Sequence, residues 1–160
     1  MTKLEIIQSK IIDSETLKHR LAFLRFMNKK IVFTNGCFDL LHLGHIEYLA
    51  QTRDLGDFLF VGLNSDDSVR RLKGEGRPVN SQYARAMVLA SLISVGAVVI
   101  FDEDTPYELI KTIQPDVLVK GADYKPEKIV GYDIVKAKGG EIVSIDLVEG
   151  YSSTGMIDKI

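Results

Sequence analysis

The sequence contains one cysteine, no apolar run long enough to cross a bilayer and no block of basic residues. Cys37 alone cannot form an internal disulfide and has no partner for a zinc site, so we expect a small buried side chain in a reducing compartment. A membrane helix needs roughly 18 consecutive apolar residues, and the amino terminus lacks the features of a signal peptide. These absences predict a cytoplasmic protein with no membrane segment.

The charge is nearly balanced. Twenty basic and 22 acidic residues give a formal charge of −2, which lacks the electrostatic signature of a nucleic-acid binder but still allows a small anionic ligand to bind locally. No low-complexity tract or solenoid repeat interrupts the 160 residues. We therefore expect one domain over residues 1–160, with residues 1–30 as a helical lead-in.

Segments with the pattern of a buried strand alternate along the chain with segments of helical period. The predicted strands span 31–35, 57–63, 97–101, 116–120 and 141–145, and the predicted helices span 14–27, 42–54, 81–95, a segment from Thr105, 127–138, and a segment from about Ser153. This order predicts a Rossmann-like, doubly wound α/β fold, with a mainly parallel five-stranded sheet covered by helices on both faces. Such sheets bind ligands beyond the carboxyl ends of their strands.

The stretch NGCFDLLHLGH follows the first predicted strand and opens a helix. His42 and His45 are three residues apart and share one helical face, while Gly44 lets a phosphate approach the backbone. A helix N-terminus adds partial positive charge and free N–H donors. Two imidazoles there would stabilise charge on the phosphates of a nucleoside triphosphate, although ordinary core or surface histidines, or part of a metal site without a third ligand, remain alternatives.

The run TNGCFDLLHLGHIEYL resembles the signature of the HxGH nucleotidyltransferase superfamily, and YSSTGMI is similar to that family's carboxyl-terminal Ser/Thr motif. The resemblance implies transfer of a nucleoside monophosphate from a nucleoside triphosphate. It implies that Lys73 acts with His42 and His45 on the phosphates, and that Arg77 and Arg85 assist in binding the substrate or its phosphate. Asp39 and Asn64 are expected at loop positions that face the nucleotide or the sugar.

The chain also resembles, over nearly its whole length, the heptose 1-phosphate adenylyltransferase domain of bacterial ADP-heptose synthesis. The segments that carry this resemblance are VFTNGCFDLLHLGH, KGEGRPVN, FDEDTPYELI, PDVLVKGADY and VEGYSSTGMI. In bifunctional members this domain follows a sugar kinase, for which 160 residues leave no room, so a stand-alone form is expected. The nucleotide-binding residues expected on these grounds are Asn35, Gly36, Cys37, Phe38, Gly44, Lys120, Gly121, Asp123, Ser152, Ser153 and Thr154.

Two other interpretations stay open. A glycerol-3-phosphate cytidylyltransferase would share the HLGH and Ser/Thr motifs, and a non-catalytic nucleotide-binding module could use the same layered scaffold. A dehydrogenase is disfavoured because no G-x-G-x-x-G follows the first strand. For the enzyme we expect no dedicated metal site, Mg²⁺ brought with the nucleoside triphosphate, a phosphorylated sugar as second substrate, and a homodimer by family analogy.

Overall fold

The computed structural model describes residues 1–121 and 124–160 and is built on one five-stranded sheet. The strands are Ile31–Gly36 (β1), Phe58–Asn64 (β2), Ala97–Phe101 (β3), Val117–Gly121 (β4) and Glu141–Ile145 (β5). Their spatial order is β3-β2-β1-β4-β5, and every neighbouring pair is parallel. The chain therefore builds outward from β1 in one direction, then returns to the other side of β1 with β4.

Helices connect the strands and cover the sheet. They are Lys3–Gln8 (α1), Ser14–Phe26 (α2), Leu43–Arg53 (α3), Asp66–Lys73 (α4), Gln82–Ala90 (α5), Tyr107–Ile113 (α6), Tyr132–Ala137 (α7) and Ser153–Ile157 (α8), with a 3₁₀ turn at Pro126–Lys128. Side-chain oxygens of Asp13, Ser65, Ser81 and Ser152 each accept a backbone N–H in the first turn of their helix, which fixes where α2, α4, α5 and α8 begin. None of the helices in residues 1–121 and 124–160 has the length and apolarity to span a bilayer.

Both faces of the sheet are buried, which confirms the predicted fold class. One apolar cluster joins strand residues such as Val61 to Leu49 of α3 and Leu89 of α5. A second cluster joins the opposite face of the sheet to α2, α6 and α7 and includes Leu21 and Ile110. Strands buried on both faces are mainly apolar, which explains the hydrophobic runs of β1 to β4 in the sequence.

The helices differ from the sequence-based prediction in three places. Residues 66–73 form α4, which the apolar pattern did not reveal because Val69 is one of only two residues of this charged helix that are buried. The helix predicted over 81–95 ends at Ala90, and the one predicted over 127–138 is divided into a 3₁₀ turn and α7. Gly131 adopts φ +91° at that division, a conformation that interrupts helix geometry.

The amino-terminal lead-in packs along the free edge of β3. The amide of Ile12 donates to the carbonyl of Val98 at 3.0 Å, and the amide of Val98 donates to the carbonyl of Lys10 at 2.8 Å. Ile11 forms a parallel bridge to Val98. Residues 10–12 thus satisfy backbone groups that an edge strand would otherwise leave unpaired.

Candidate active site

The site lies where the order of the strands reverses. β1 and β4 are neighbours, and their carboxyl ends carry Asn35 and Lys120, whose ammonium donates a hydrogen bond to the Asn35 side-chain oxygen. A cavity of about 370 Å³ opens beside this contact. Because β1 and β4 lie where the strand order reverses, their carboxyl ends form the crevice in which open parallel sheets bind ligands.

The two histidines of HLGH line this cavity together. His42 occupies the N-cap position of α3 and His45 lies in its first turn. Their rings stack with centroids 3.8 Å apart and planes inclined by 25°. The Nδ1 atoms of both rings are buried and have no hydrogen-bond partner within residues 1–121 and 124–160, so the pair retains polar capacity for a ligand.

Burial keeps both imidazoles neutral. Loss of solvent is the main cause that lowers the pKa of His45 to about 4, and repulsion from His42 and Lys73 contributes to the same shift. Burial also lowers the pKa of His42. At neutral pH each ring therefore offers an uncharged N–H donor rather than a fixed positive charge.

Small residues and one strained backbone shape the wall beside the histidines. A Cβ atom on Gly44 would lie 2.9 Å from Cε1 and 3.0 Å from Nδ1 of His42, so the stacked arrangement requires glycine at this position. Phe38 adopts φ +46°, and its ring meets that of His45 edge-on at 5.2 Å. A Cβ on Gly36 would lie 2.9 Å from the Phe38 ring. The positive φ of Phe38 and the close approach at Gly36 thus place one aromatic ring against His45.

Three basic side chains line the same cavity. Lys73 ends α4, is exposed, and makes no hydrogen bond or ion pair within the described part of the chain. Burial lowers the pKa of Lys120 to about 8. Arg77 uses its Nε to contact Asp39 at 2.9 Å, while its Nη2 is buried without a partner among residues 1–121 and 124–160. The cavity can therefore attract an anion with several charges.

Asp39 lines the cavity, but other groups occupy its carboxylate. Besides Arg77, the amides of Val79 and Asn80 donate to it at 2.8 to 3.0 Å, and the Asn80 side-chain amide donates to its backbone carbonyl. Burial by itself would raise the pKa of Asp39, but the Asn80 and Val79 amides and the Arg77 guanidinium hold that pKa below its ordinary value. Asp39 thus anchors the segment 77–80 to the loop after β1.

The carboxyl-terminal Ser/Thr motif folds back over the histidines. Ser153 Oγ donates to the carbonyl of Leu40 at 2.8 Å, and Thr154 Oγ1 accepts from Arg77 Nη1 at 3.5 Å. The ring of Tyr151 lies 6.1 Å from that of His42. These contacts bring the two ends of the chain's sequence signature to one cavity across more than a hundred intervening residues.

The cavity brings together most of the residues predicted from the sequence. Those that line it are Asn35, Gly36, Cys37, Phe38, Asp39, His42, Gly44, His45, Lys73, Arg77, Lys120, Gly121, Ser152, Ser153 and Thr154. Asp123 lies outside the described residues. Cys37 is only partly buried, whereas a small buried side chain was expected, and burial raises the pKa of its thiol.

Asn64 and Arg85 are not among the residues that line the cavity. Asn64, at the end of β2, is 3% exposed and donates from its side chain to Ser68 Oγ. The Arg85 guanidinium is fully buried and faces backbone carbonyls and Asp66. The structure therefore does not bring these two to a position of direct ligand contact, since their polar atoms are already paired within the fold.

The sequence analysis missed five residues that also line the cavity, all of them apolar or aromatic. They are Tyr48, Tyr124, Leu147, Val148 and Tyr151. Tyr48 follows His45 by three residues, so helical spacing could have placed it on the same face, and its hydroxyl pairs with that of Thr34 at 2.8 Å. Leu147 and Val148 follow β5, and the only signal for them was their position after a strand.

The chain is similar to proteins of one known family over most of its length. Residues 33–154 match the model of a family described as cytidylyltransferase-like. The chain is 65% identical over 132 residues to the bifunctional protein HldE of Campylobacter concisus, covering 82% of this chain and 27% of that protein. It is 55% identical over 152 residues to the bifunctional protein HldE of Syntrophotalea carbinolica, covering 95% of this chain and 31% of that protein. The chain thus spans about a third of the length of these curated relatives.

A solved structure is also similar. The crystal structure of the lipopolysaccharide core biosynthesis protein from Thermoplasma volcanium superposes with a TM-score of 0.63 at 26% identity, covering 76% of this chain and 99% of that chain. The match covers most of the present chain and almost all of the Thermoplasma protein, so the two share their core architecture.

Proposed function

The chain belongs to the cytidylyltransferase-like family, and from that membership we propose that it is a nucleotidyltransferase. It transfers AMP from ATP to the phosphate of D-glycero-D-manno-heptose 1-phosphate and releases pyrophosphate. The observation that carries the proposal is the stacked pair His42 and His45, in a cation-lined cavity at the reversal of strand order. The Nδ1 atoms of both rings have no hydrogen-bond partner among residues 1–121 and 124–160.

The reaction is an in-line displacement at phosphorus. A phosphate oxygen of the sugar 1-phosphate attacks the α-phosphorus of ATP, a new P–O bond forms, and the bond from the α-phosphorus to the bridging oxygen breaks. The electron pair of the broken bond leaves with pyrophosphate. A phosphate nucleophile is already ionised at neutral pH, so the protein needs no general base, and its contribution is positioning and neutralisation of charge.

Different residues around the cavity bind different parts of the nucleotide. His42 and His45 donate N–H bonds to the α-phosphate oxygens, on which negative charge grows in the transition state. Lys73, at the end of α4 and without a partner among the described residues, extends its ammonium over the phosphates. Backbone amides from Gly36 to Phe38 cradle the nucleotide, Gly44 leaves room for a phosphate at the start of α3, and the hydroxyls of Ser152, Ser153 and Thr154 complete the phosphate subsite from the opposite side.

At the other end of the cavity, Lys120 and Gly121, with Asn35, hold the nucleoside side, and Asp123 is proposed to act there as well. Arg77, whose Nη2 is buried without a partner within the described ranges, binds the acceptor phosphate. Asp39 holds Arg77 through a 2.9 Å ion pair, so its influence on the acceptor is exerted through that guanidinium.

Mg²⁺ is the cofactor that this chemistry implies. Among the described residues no cluster of three or more histidine, cysteine or acidic side chains could hold a metal ion, and the carboxylate lining the cavity, that of Asp39, is already paired. These residues do not form a protein-held site for the ion. We therefore propose that Mg²⁺ arrives coordinated by the triphosphate and neutralises part of its charge.

The choice of substrates rests on similarity. The sequence resembles a heptose 1-phosphate adenylyltransferase domain over nearly its whole length, and the similar structure from Thermoplasma volcanium is named as a lipopolysaccharide core biosynthesis protein. Both favour a sugar phosphate over glycerol 3-phosphate. We also propose a cytoplasmic location, where ATP is available, and a homodimer, which sedimentation of the purified chain would test.

A screen of pyrophosphate release tests the proposal. Four nucleoside triphosphates are each combined with both anomers of heptose 1-phosphate and with glycerol 3-phosphate, in the presence of Mg²⁺. We expect release with ATP and one heptose anomer. Release with CTP and glycerol 3-phosphate would instead identify a glycerol-3-phosphate cytidylyltransferase, and nucleotide binding without release in any combination would indicate a non-catalytic module.

A further inference from the structure

Arg85 is a fully buried arginine beside the cavity. It lies on α5, four residues after the N-cap Ser81, and its side chain is 0% exposed. Arginine is among the residues least often buried, because a guanidinium removed from water must have its donors satisfied by the protein. The residues that satisfy Arg85 therefore indicate what it does.

The guanidinium joins four segments of the chain. Its Nη1 donates to the carbonyls of Cys37 and Asn64, each at 2.8 Å, and its Nε donates to the carbonyl of Asn80 at 3.0 Å. Its Nη2 donates to Asp66 Oδ1 at 2.8 Å. Arg85 thus ties the loop after β1 to the end of β2, to the first turn of α4 and to the residue that precedes the α5 cap.

The bond to Cys37 is the one that reaches the cavity. This carbonyl belongs to the peptide unit that leads into Phe38, whose φ of +46° is uncommon for a residue other than glycine and persists where the surroundings fix it. The Phe38 ring packs edge-on against His45 at 5.2 Å. A continuous series of contacts therefore runs from Arg85 through Cys37 and Phe38 to His45.

We propose that Arg85 is a positioning residue that fixes the Cys37–Phe38 turn and, through Phe38, the ring of His45, without contacting either substrate. This role differs from the acceptor contact expected from the sequence, and it deepens the proposed function, on which it rests. Only a planar fork with several donors reaches carbonyls on three sides, whereas the single ammonium of a lysine cannot satisfy them together.

The kinetic test compares R85K with D66N. R85K keeps the positive charge but loses the several donors of the guanidinium, so the Cys37–Phe38 turn should shift. The kcat should then fall on the order of 10²-fold, the effect of a small misplacement of catalytic groups. The KM for heptose 1-phosphate should stay at the wild-type value, because Arg85 does not touch the acceptor. D66N keeps an oxygen that accepts from Nη2 and all three carbonyl contacts, so it should retain wild-type kcat.

A second readout needs no turnover. Cys37 is the only cysteine in the sequence, so its labelling by 5,5′-dithiobis(2-nitrobenzoic acid) reports on the turn directly. We expect faster labelling in R85K than in the wild type or in D66N, at a temperature where thermal unfolding shows that all three are folded. A raised acceptor KM with labelling at the wild-type rate would overturn the inference and return Arg85 to acceptor binding.

The wild-type protein supplies a measurement if R85K does not fold. The Nε–H resonance of Arg85 should be protected from exchange and should not shift on titration with inorganic phosphate, whereas a shift would overturn the positioning role. The proposed function fails separately, if the wild type releases no pyrophosphate. In that case the labelling rates and the Nε–H resonance still decide whether Arg85 orders the turn.

Discussion

The imidazole rings of His42 and His45 stack at 3.8 Å across the first turn of α3, and both leave Nδ1 unpaired within the described part of the chain. Two protonated rings could not be held so close, since like charges in a partly buried site repel strongly. The stack therefore requires at least one neutral ring, in agreement with the lowered pKa of both. Two neutral rings can each donate an N–H to a polyanion without repelling each other.

Replacement of either histidine by alanine should reduce kcat by roughly 10²-fold or more, the loss expected when one transition-state donor is removed. The measurement is pyrophosphate release at saturating substrates. His19→Ala is the matched control, because His19 is exposed on α2 and away from the cavity. Turnover near the wild-type value in a folded His42 or His45 variant would contradict the assignment.

The depressed pKa of His45 predicts how stability varies with pH. In the folded protein this pKa is about 4, against 6.5 for an unperturbed histidine. Between pH 4 and pH 6.5 the histidine of the unfolded chain therefore binds a proton and that of the folded protein does not. The contribution of His45 to the free energy of unfolding should not change above about pH 6.5 and should be lost progressively as the pH drops toward 4.

Urea unfolding of the wild type and of His45→Asn at pH 7 and at pH 4.5 measures this effect. The asparagine variant cannot titrate, so its loss of stability between the two values should be smaller. Equal losses in both proteins would show that His45 does not carry the linkage.

Gly44→Ala should impair turnover while preserving the fold. The added methyl would lie 2.9 Å from a ring carbon of His42, closer than real contacts, so that ring must move out of the stack. Alanine is a better helix former than glycine, so the melting temperature should not fall with the activity. A variant with wild-type kcat would mean that the stack of His42 on His45 is not required.

Lys73→Ala should lower kcat and kcat/KM together, since a contact made only in the transition state affects both equally. Lys111→Ala on α6 is the control, an exposed lysine outside the cavity. Steady-state kinetics with either substrate varied separates the possibilities. A change confined to KM would instead assign Lys73 to ground-state binding.

Mg²⁺ should bind weakly to the protein alone and tightly only with ATP, because the Asp39 carboxylate is already engaged by Arg77. Titration calorimetry without nucleotide should give no stoichiometric binding. Chelation with EDTA should abolish pyrophosphate release, and added Mg²⁺ should restore it. Tight stoichiometric binding without ATP would contradict the proposal.

The sequence predicted the sheet and the position of the site because both follow from local patterns. Continuous apolar strands imply burial on both faces, and HLGH follows the first of them, so its place at the carboxyl edge of the sheet could be inferred. The family match over residues 33–154 confirms the nucleotidyltransferase resemblance that HLGH and SSTGMI indicated.

What the sequence did not predict depends on contacts between distant residues. An arginine on a helix is usually exposed to solvent, and only the fold brings the carbonyls of Cys37 and Asn64 within reach of Arg85. Asp39 likewise has the pattern of a loop carboxylate, but Arg77, 38 positions later, neutralises it. Both roles depend on contacts between residues that are distant in the sequence, so no local pattern predicts them.

The lead-in over residues 10–12 also covers part of one edge of the sheet. It bonds to the amide and the carbonyl of Val98, so this part of the β3 edge is not free for another strand to extend. The other sheet edge, β5, is five residues long and carries exposed Glu141 and Ser144, which disfavour strand addition. Strand addition at the β3 edge is thus limited by residues 10–12, which do not line the candidate cavity.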